Sequence, residues 1–155
     1  MSRSRLSNLP IRIAAGAFIL NSGLAKLQAD KETAEHLHQT AVGAYPQLES
    51  VPPARFAKGL ASAEVALGAA LLMPPLVGDA TAGLGLTAFA GGLLGLYANL
   101  PGMRQEGSVR PTQNGIALAK DVWLAGIGLT LLAGSVGQRR VSRLRHKAKD
   151  LHEAD

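Results

Sequence analysis

Apolar positions in this chain gather into four stretches of similar length, separated by polar or proline-containing segments. The first is LPIRIAAGAFILNSGLAKL, about Leu9 to Leu27. The second is FAKGLASAEVALGAALLMPPLV, about Phe56 to Val77. The third is ATAGLGLTAFAGGLLGLYANL, Ala80 to Leu100, and the fourth is GIALAKDVWLAGIGLTLLAGSV, Gly115 to Val136. Each comes close to the ~20 residues that carry a helix across a bilayer. Each also holds polar residues. The pattern therefore predicts an all-α protein, a four-helix transmembrane bundle whose helices turn polar groups toward one another and away from lipid. A soluble four-helix bundle is the competing architecture. Its helices need broad charged faces, and the third stretch has no charged residue from Ala80 to Leu100.

Punctuation agrees with the pattern. Pro52-Pro53 precedes the second stretch and Pro74-Pro75 closes it; Pro101-Gly102 ends the third and Pro111 precedes the fourth. These are helix-boundary residues. Residues 1–8 then form an N-terminal tail, 9–136 the membrane domain, 28–55 a long loop and 137–155 a basic tail. Within the loop, Asp30 can cap a short helix over about Lys31 to Ala41, lying on the membrane surface or across the bundle mouth. The first stretch is expected to stay in place as a helix: Arg12 lies inside it and no small-residue cleavage site follows.

Composition sharpens this picture. The chain has 155 residues, 47% hydrophobic and only 17% charged, which is greasier than an ordinary soluble domain. Its 18 glycines suit helices that approach closely in lipid. With no cysteine, the chain itself has no disulfides, thiolate ligands or thiol redox chemistry. A net charge of +5 first suggests nucleic acid. However, Arg139, Arg140, Arg143, Arg145, Lys147 and Lys149 crowd into one tail, so no nucleic-acid partner is expected. With Arg3 and Arg5 they place both termini on the cytoplasmic side of the inner (plasma) membrane, by the excess of basic residues in the flanks. The tail could also hold anionic lipid.

That orientation assigns depths. Asn21 and Lys26 fall in the outer half of the first helix, Glu64 about eight residues into the second, Tyr97 and Asn99 at the outer end of the third, and Lys120 and Asp121 about one turn into the fourth. These residues form a candidate polar pocket or ion-pair cluster, with Trp123 beside it as an interfacial anchor or a pocket wall. An unpaired charge there costs several kcal/mol, so pairing is expected. The favoured pairs are Glu64 with Lys120 and Asp121 with Lys26; exchanging the two lysines is the alternative. Arg12, alone in the inner half, is expected to act as a lipid-facing anchor that snorkels to the headgroups. A paired cluster can lock the helices together or handle a ligand or proton, and both roles stay open.

Other motifs add less. His36 and His38 are two apart, awkward for a shared metal on a helix, and no metal site is expected. Gly91 and Gly95 form a GxxxG spacing expected to serve packing inside the bundle. No Walker loop, HExxH or strand-borne GxGxxG is present.

Three segments carry a family resemblance: IRIAAGAFILNSGLAKL, GLASAEVALGAALLM and IALAKDVWLAGIGLTLLA. Over about Leu9 to Gly134 the chain resembles the DoxX family of small four-helix membrane proteins. Arg12, Gly16, Gly23 and Lys26 match arginine, glycine and lysine positions of the family's first helix, and Glu64 matches its second-helix acid. The family takes its name from a small subunit associated with an archaeal terminal quinol oxidase, and bacterial members are linked to redox and thiol-stress complexes. The resemblance implies an accessory or scaffold subunit of a membrane redox or envelope complex, partnered by membrane lipids and other membrane protein subunits, and not an enzyme by itself. The alternative is a quinone- or lipid-binding protein with an outward-facing pocket around Glu64. A small transporter has less support, since no inverted repeat is evident.

Overall fold

The structure is a computed structural model that describes residues 7–152, with side chains described through residue 137. It is all-helical, and no strand is found among the described residues. The helices are α1 (Leu9–Leu27), α2 (Lys31–Ala44), α3 (Pro53–Leu72), α4 (Asp79–Asn99), α5 (Ile116–Ala119) and α6 (Val122–His152), with a 3-10 turn over Pro46–Ser50. Local chemistry sets several of these ends. Pro10 stands in the first turn of α1, where its missing N–H costs nothing. The Asp30 side chain accepts a hydrogen bond from the Thr33 backbone N–H at 2.8 Å and caps α2, which runs to Ala44. This bond holds the Asp30 carboxyl below its ordinary range.

Two of the expected spans are redrawn. The second begins at Pro53 and ends at Leu72, because Pro74-Pro75 cannot continue it. The fourth is broken. α5 ends at Ala119 and α6 begins at Val122, and the Asp121 N–H bonds three residues back to Leu118 rather than four. The interruption falls on Lys120-Asp121. Arg3 and Arg5, and the basic side chains from Arg139 onward, lie outside what the structure describes, although the backbone of α6 continues to His152.

The four longest described helices form two antiparallel pairs, α1 on α3 and α4 on α6, which touch each other much less than their own partners. Glycine explains the closeness within each pair. A Cβ on Gly68 would lie 2.6 Å from the Leu20 backbone nitrogen, and one on Gly23 would lie 2.8 Å from the Glu64 Cβ. In the second pair a Cβ on Gly83 would lie 2.7 Å from the Gly128 carbonyl oxygen. Of the Gly91–Gly95 spacing, Gly95 serves packing, leaving room for the Tyr45 ring, whereas Gly91 faces open space. Between the pairs is the apolar core, where Ile19, Leu71, Leu86 and Leu131 are essentially sealed.

Two segments, Asp79–Asn99 and Ile116–Gly137, are long and apolar enough to cross a membrane. Only 22% and 17% of their most apolar windows is buried within the protein. Phe18, Leu84 and Leu129 also present more than half of their surface outward. The core helix of a soluble protein would be mostly covered, whereas these helices keep a wide apolar face free.

Candidate functional site

The buried charges separate into two places. At one end of the pairs, Arg12 is fully buried and donates from Nη1 to Asp79 Oδ1 at 2.6 Å. Its Nε donates to the Leu71 carbonyl at 2.9 Å, and its Nη2 to the carbonyls of Ala70 (2.7 Å) and Val77 (3.1 Å). Asn8 Nδ2 donates to the second Asp79 oxygen at 2.9 Å. Arg12 is thus not a lipid-facing anchor. It sits where α3 ends and α4 begins. The last carbonyls of α3 have no helical partner and carry partial negative charge, and an acid in the first turn of α4 favours that helix's dipole. One guanidinium serves both, so it is held inside. The sequence signal was Asp79 itself, an acid directly before the third stretch and at the same end of the bundle as Arg12.

At the other end, Lys26 Nζ donates to Glu64 Oε2 at 2.9 Å and to Ser22 Oγ at 2.6 Å. The Glu64 side chain is 4% exposed and that of Lys26 is 23% exposed. Glu64 therefore pairs with Lys26, not with Lys120. Lys120 is exposed at the break between α5 and α6. Asp121 is half-buried, and its carboxylate has no hydrogen-bond or ion-pair partner among the described residues. At the break Lys120 faces outward while Asp121 is half-covered.

Lys26, Glu64 and Asp121 all line one cavity of about 600 Å³. Its walls are mainly apolar, with Ile19, Leu60, Phe89 and Leu93 among them. α2 covers it, and His36 and Thr40 on it and Tyr45 at its end bring polar groups from outside the expected cluster. Tyr45 donates its hydroxyl to the Gly92 carbonyl at 2.8 Å, fastening α2 to α4 across the space that a side chain at Gly95 would fill. Thr40 donates back to the His36 carbonyl at 2.9 Å. His38 is buried, its Nε2 2.9 Å from the Leu48 carbonyl oxygen and its ring edge-on to Phe56. These are ties between loop elements that no period-based reading of 28–55 exposes.

The remaining candidates lie elsewhere. Asn21 is exposed on α1. Tyr97 donates to the Val109 carbonyl at 2.7 Å, and exposed Asn99 lies in a shallow surface depression formed by residues 98–109. Trp123 is 72% exposed. Of the eight residues expected to gather, Lys26, Glu64 and Asp121 line the cavity. No group of three or more His, Asp or Glu side chains able to hold a metal ion is present among the described residues.

The cavity's size falls within the ~300–1,000 Å³ usual for small-molecule sites. Fold and site together define an all-helical protein with two helices able to cross a membrane and an apolar cavity carrying a few charged groups. Comparison with protein-family models, with curated proteins and with solved structures finds no match for this chain.

Proposed function

We propose that the chain is a DoxX-like integral membrane protein of the plasma membrane whose four long helices all span the bilayer, both termini being cytoplasmic, and that it binds a quinone or lipid in the cavity around Glu64. The cavity carries this reading: an apolar chamber with acidic Asp121 and the Lys26–Glu64 pair in its wall. Such a site suits a molecule with an apolar body and a small polar head. The multi-pass part has separate support. α1 and α3 are 19 and 20 residues long, and three of their charges, Arg12, Lys26 and Glu64, are drawn into ion pairs instead of facing outward.

The accessory-subunit reading rests on a different observation. Lys26–Glu64 ties α1 to α3 where Gly23 lets the two backbones meet, a structural clamp that needs no ligand. Native mass spectrometry of the protein gently extracted from its own membrane, wild type beside Glu64→Gln, separates the two. The binding reading expects a co-purifying quinone or lipid that the folded variant loses. If wild type carries no small molecule and the variant instead sheds a protein partner, the subunit reading replaces it.

A further inference from the structure

The cavity's polar groups are not equally free. Lys26 is engaged twice, by Glu64 and by Ser22. The Thr40 and Tyr45 hydroxyls both donate to backbone carbonyls, and His36 stands at the wall on exposed α2 surface. Asp121 alone lines the chamber with a charge that nothing among the described residues answers. With Lys26 and Glu64 cancelling, an ionised Asp121 gives the chamber one net negative charge inside mainly apolar walls. An uncompensated carboxylate in such surroundings is costly, and a cation brought to it offsets that cost.

Resting on the cavity-binding reading above, and narrowing its occupant to a lipid-like amine in place of a quinone, we propose that the occupant is a cationic amphiphile, an aliphatic chain bearing an amine head, with the ammonium donating to the Asp121 carboxylate and the chain lying along the Leu60–Phe89–Leu93 wall. Charge complementarity orders the possible heads. An amine gains an ion pair, an alcohol gains a single hydrogen bond, and a carboxylate meets like charge. The break between α5 and α6 is what makes this possible. It sets the Asp121 side chain into the chamber while Lys120, the nearest cation in sequence, remains on the exposed surface.

Equilibrium binding of radiolabelled dodecylamine to the full-length protein in neutral detergent at pH 7, with dodecanol and dodecanoate as competitors, tests this. We expect the amine to bind roughly tenfold or more tighter than the alcohol, with the carboxylate weakest. Asp121→Asn should bring amine and alcohol to the same affinity while alcohol binding is kept, and Ala88→Trp, which fills the chamber from α4, should abolish all three. Equal affinity for amine and alcohol in the wild type, or an amine preference that survives Asp121→Asn, overturns the cationic assignment and leaves the cavity reading standing. Should the Asn variant not fold, the wild-type head-group order decides alone. If no probe binds the wild type, or Ala88→Trp leaves binding unchanged, the cavity reading itself fails and the assignment with it.

Discussion

Among the described residues, Arg12–Asp79 and Lys26–Glu64 are ion pairs of similar chemistry in very different settings. Arg12–Asp79 is closed: three carbonyls and Asn8 complete its hydrogen bonds, and both side chains are shut away from solvent. Lys26–Glu64 is open on one side, since both residues form part of a cavity wall and an unpartnered acid shares that wall. The contrast separates charge that fastens helices from charge that remains available. A fully answered pair has no capacity left for a ligand, whereas an incompletely answered cluster beside empty space does.

The sharpest way to break the comparison is at the closed end. Arg12→Met leaves Asp79 buried without its cation and uncaps the end of α3. It should cost about 3–5 kcal/mol, read as a large drop in the unfolding midpoint in detergent, with little change in ligand preference at the far cavity. A wild-type-like midpoint would mean that the pair contributes nothing.

Next in size is Gly23→Val, which forces side-chain atoms into the Glu64 Cβ and the α3 backbone. Overpacking of this kind costs about 1–3 kcal/mol. Because it parts α1 from α3 at the open end, it should also weaken ligand binding, which Arg12→Met should not. Glu64→Gln keeps an acceptor for Lys26, so its stability cost should be near 1 kcal/mol in the same melt. A loss as large as that of Arg12→Met would show that the open pair is as structural as the closed one.

Gly91→Ala should move stability the other way. A methyl group there meets nothing within 4 Å, and helix propensity favours alanine by about 0.5–1 kcal/mol. A destabilised Gly91→Ala would reveal a neighbour on that face. The smallest effect belongs to Asp30, outside both pairs. Its folded-state pKa is lowered by the Thr33 N–H. The cap's contribution is therefore present at neutral pH and is lost as pH falls through that lowered value. Amide exchange at Thr33 should quicken only in acid; equal protection on both sides of the titration would discount the cap.

Much of the helical layout was legible in sequence. α1 matches the first expected stretch, and α4 begins one residue before the third, whose uncharged run closed by Pro101-Gly102 leaves little choice of boundary. The break at Lys120-Asp121 was not legible, since every residue from Ile116 to Asp121 is compatible with helix. The site was legible in part. Lys26, Glu64 and Asp121 could be named as chemically costly residues in apolar surroundings, but which lysine answered which acid depended on helix rotation that sequence spacing does not fix. The role of Arg12 was not legible because its partner, Asp79, lies 67 residues away, beyond α2, the 3-10 turn and α3.

What the sequence by itself determined is the set of segments that must become helices and the charges that are costly to leave unpaired among apolar residues, because both follow from local hydrophobic patterning and from desolvation costs that act on each residue wherever it lies. What only the tertiary structure decided is which charge meets which and where space is left over. Those depend on glycine-permitted approach of one backbone to another, on the small break ahead of α6 and on the docking of α2 over the bundle, and each of these joins residues far apart in the chain.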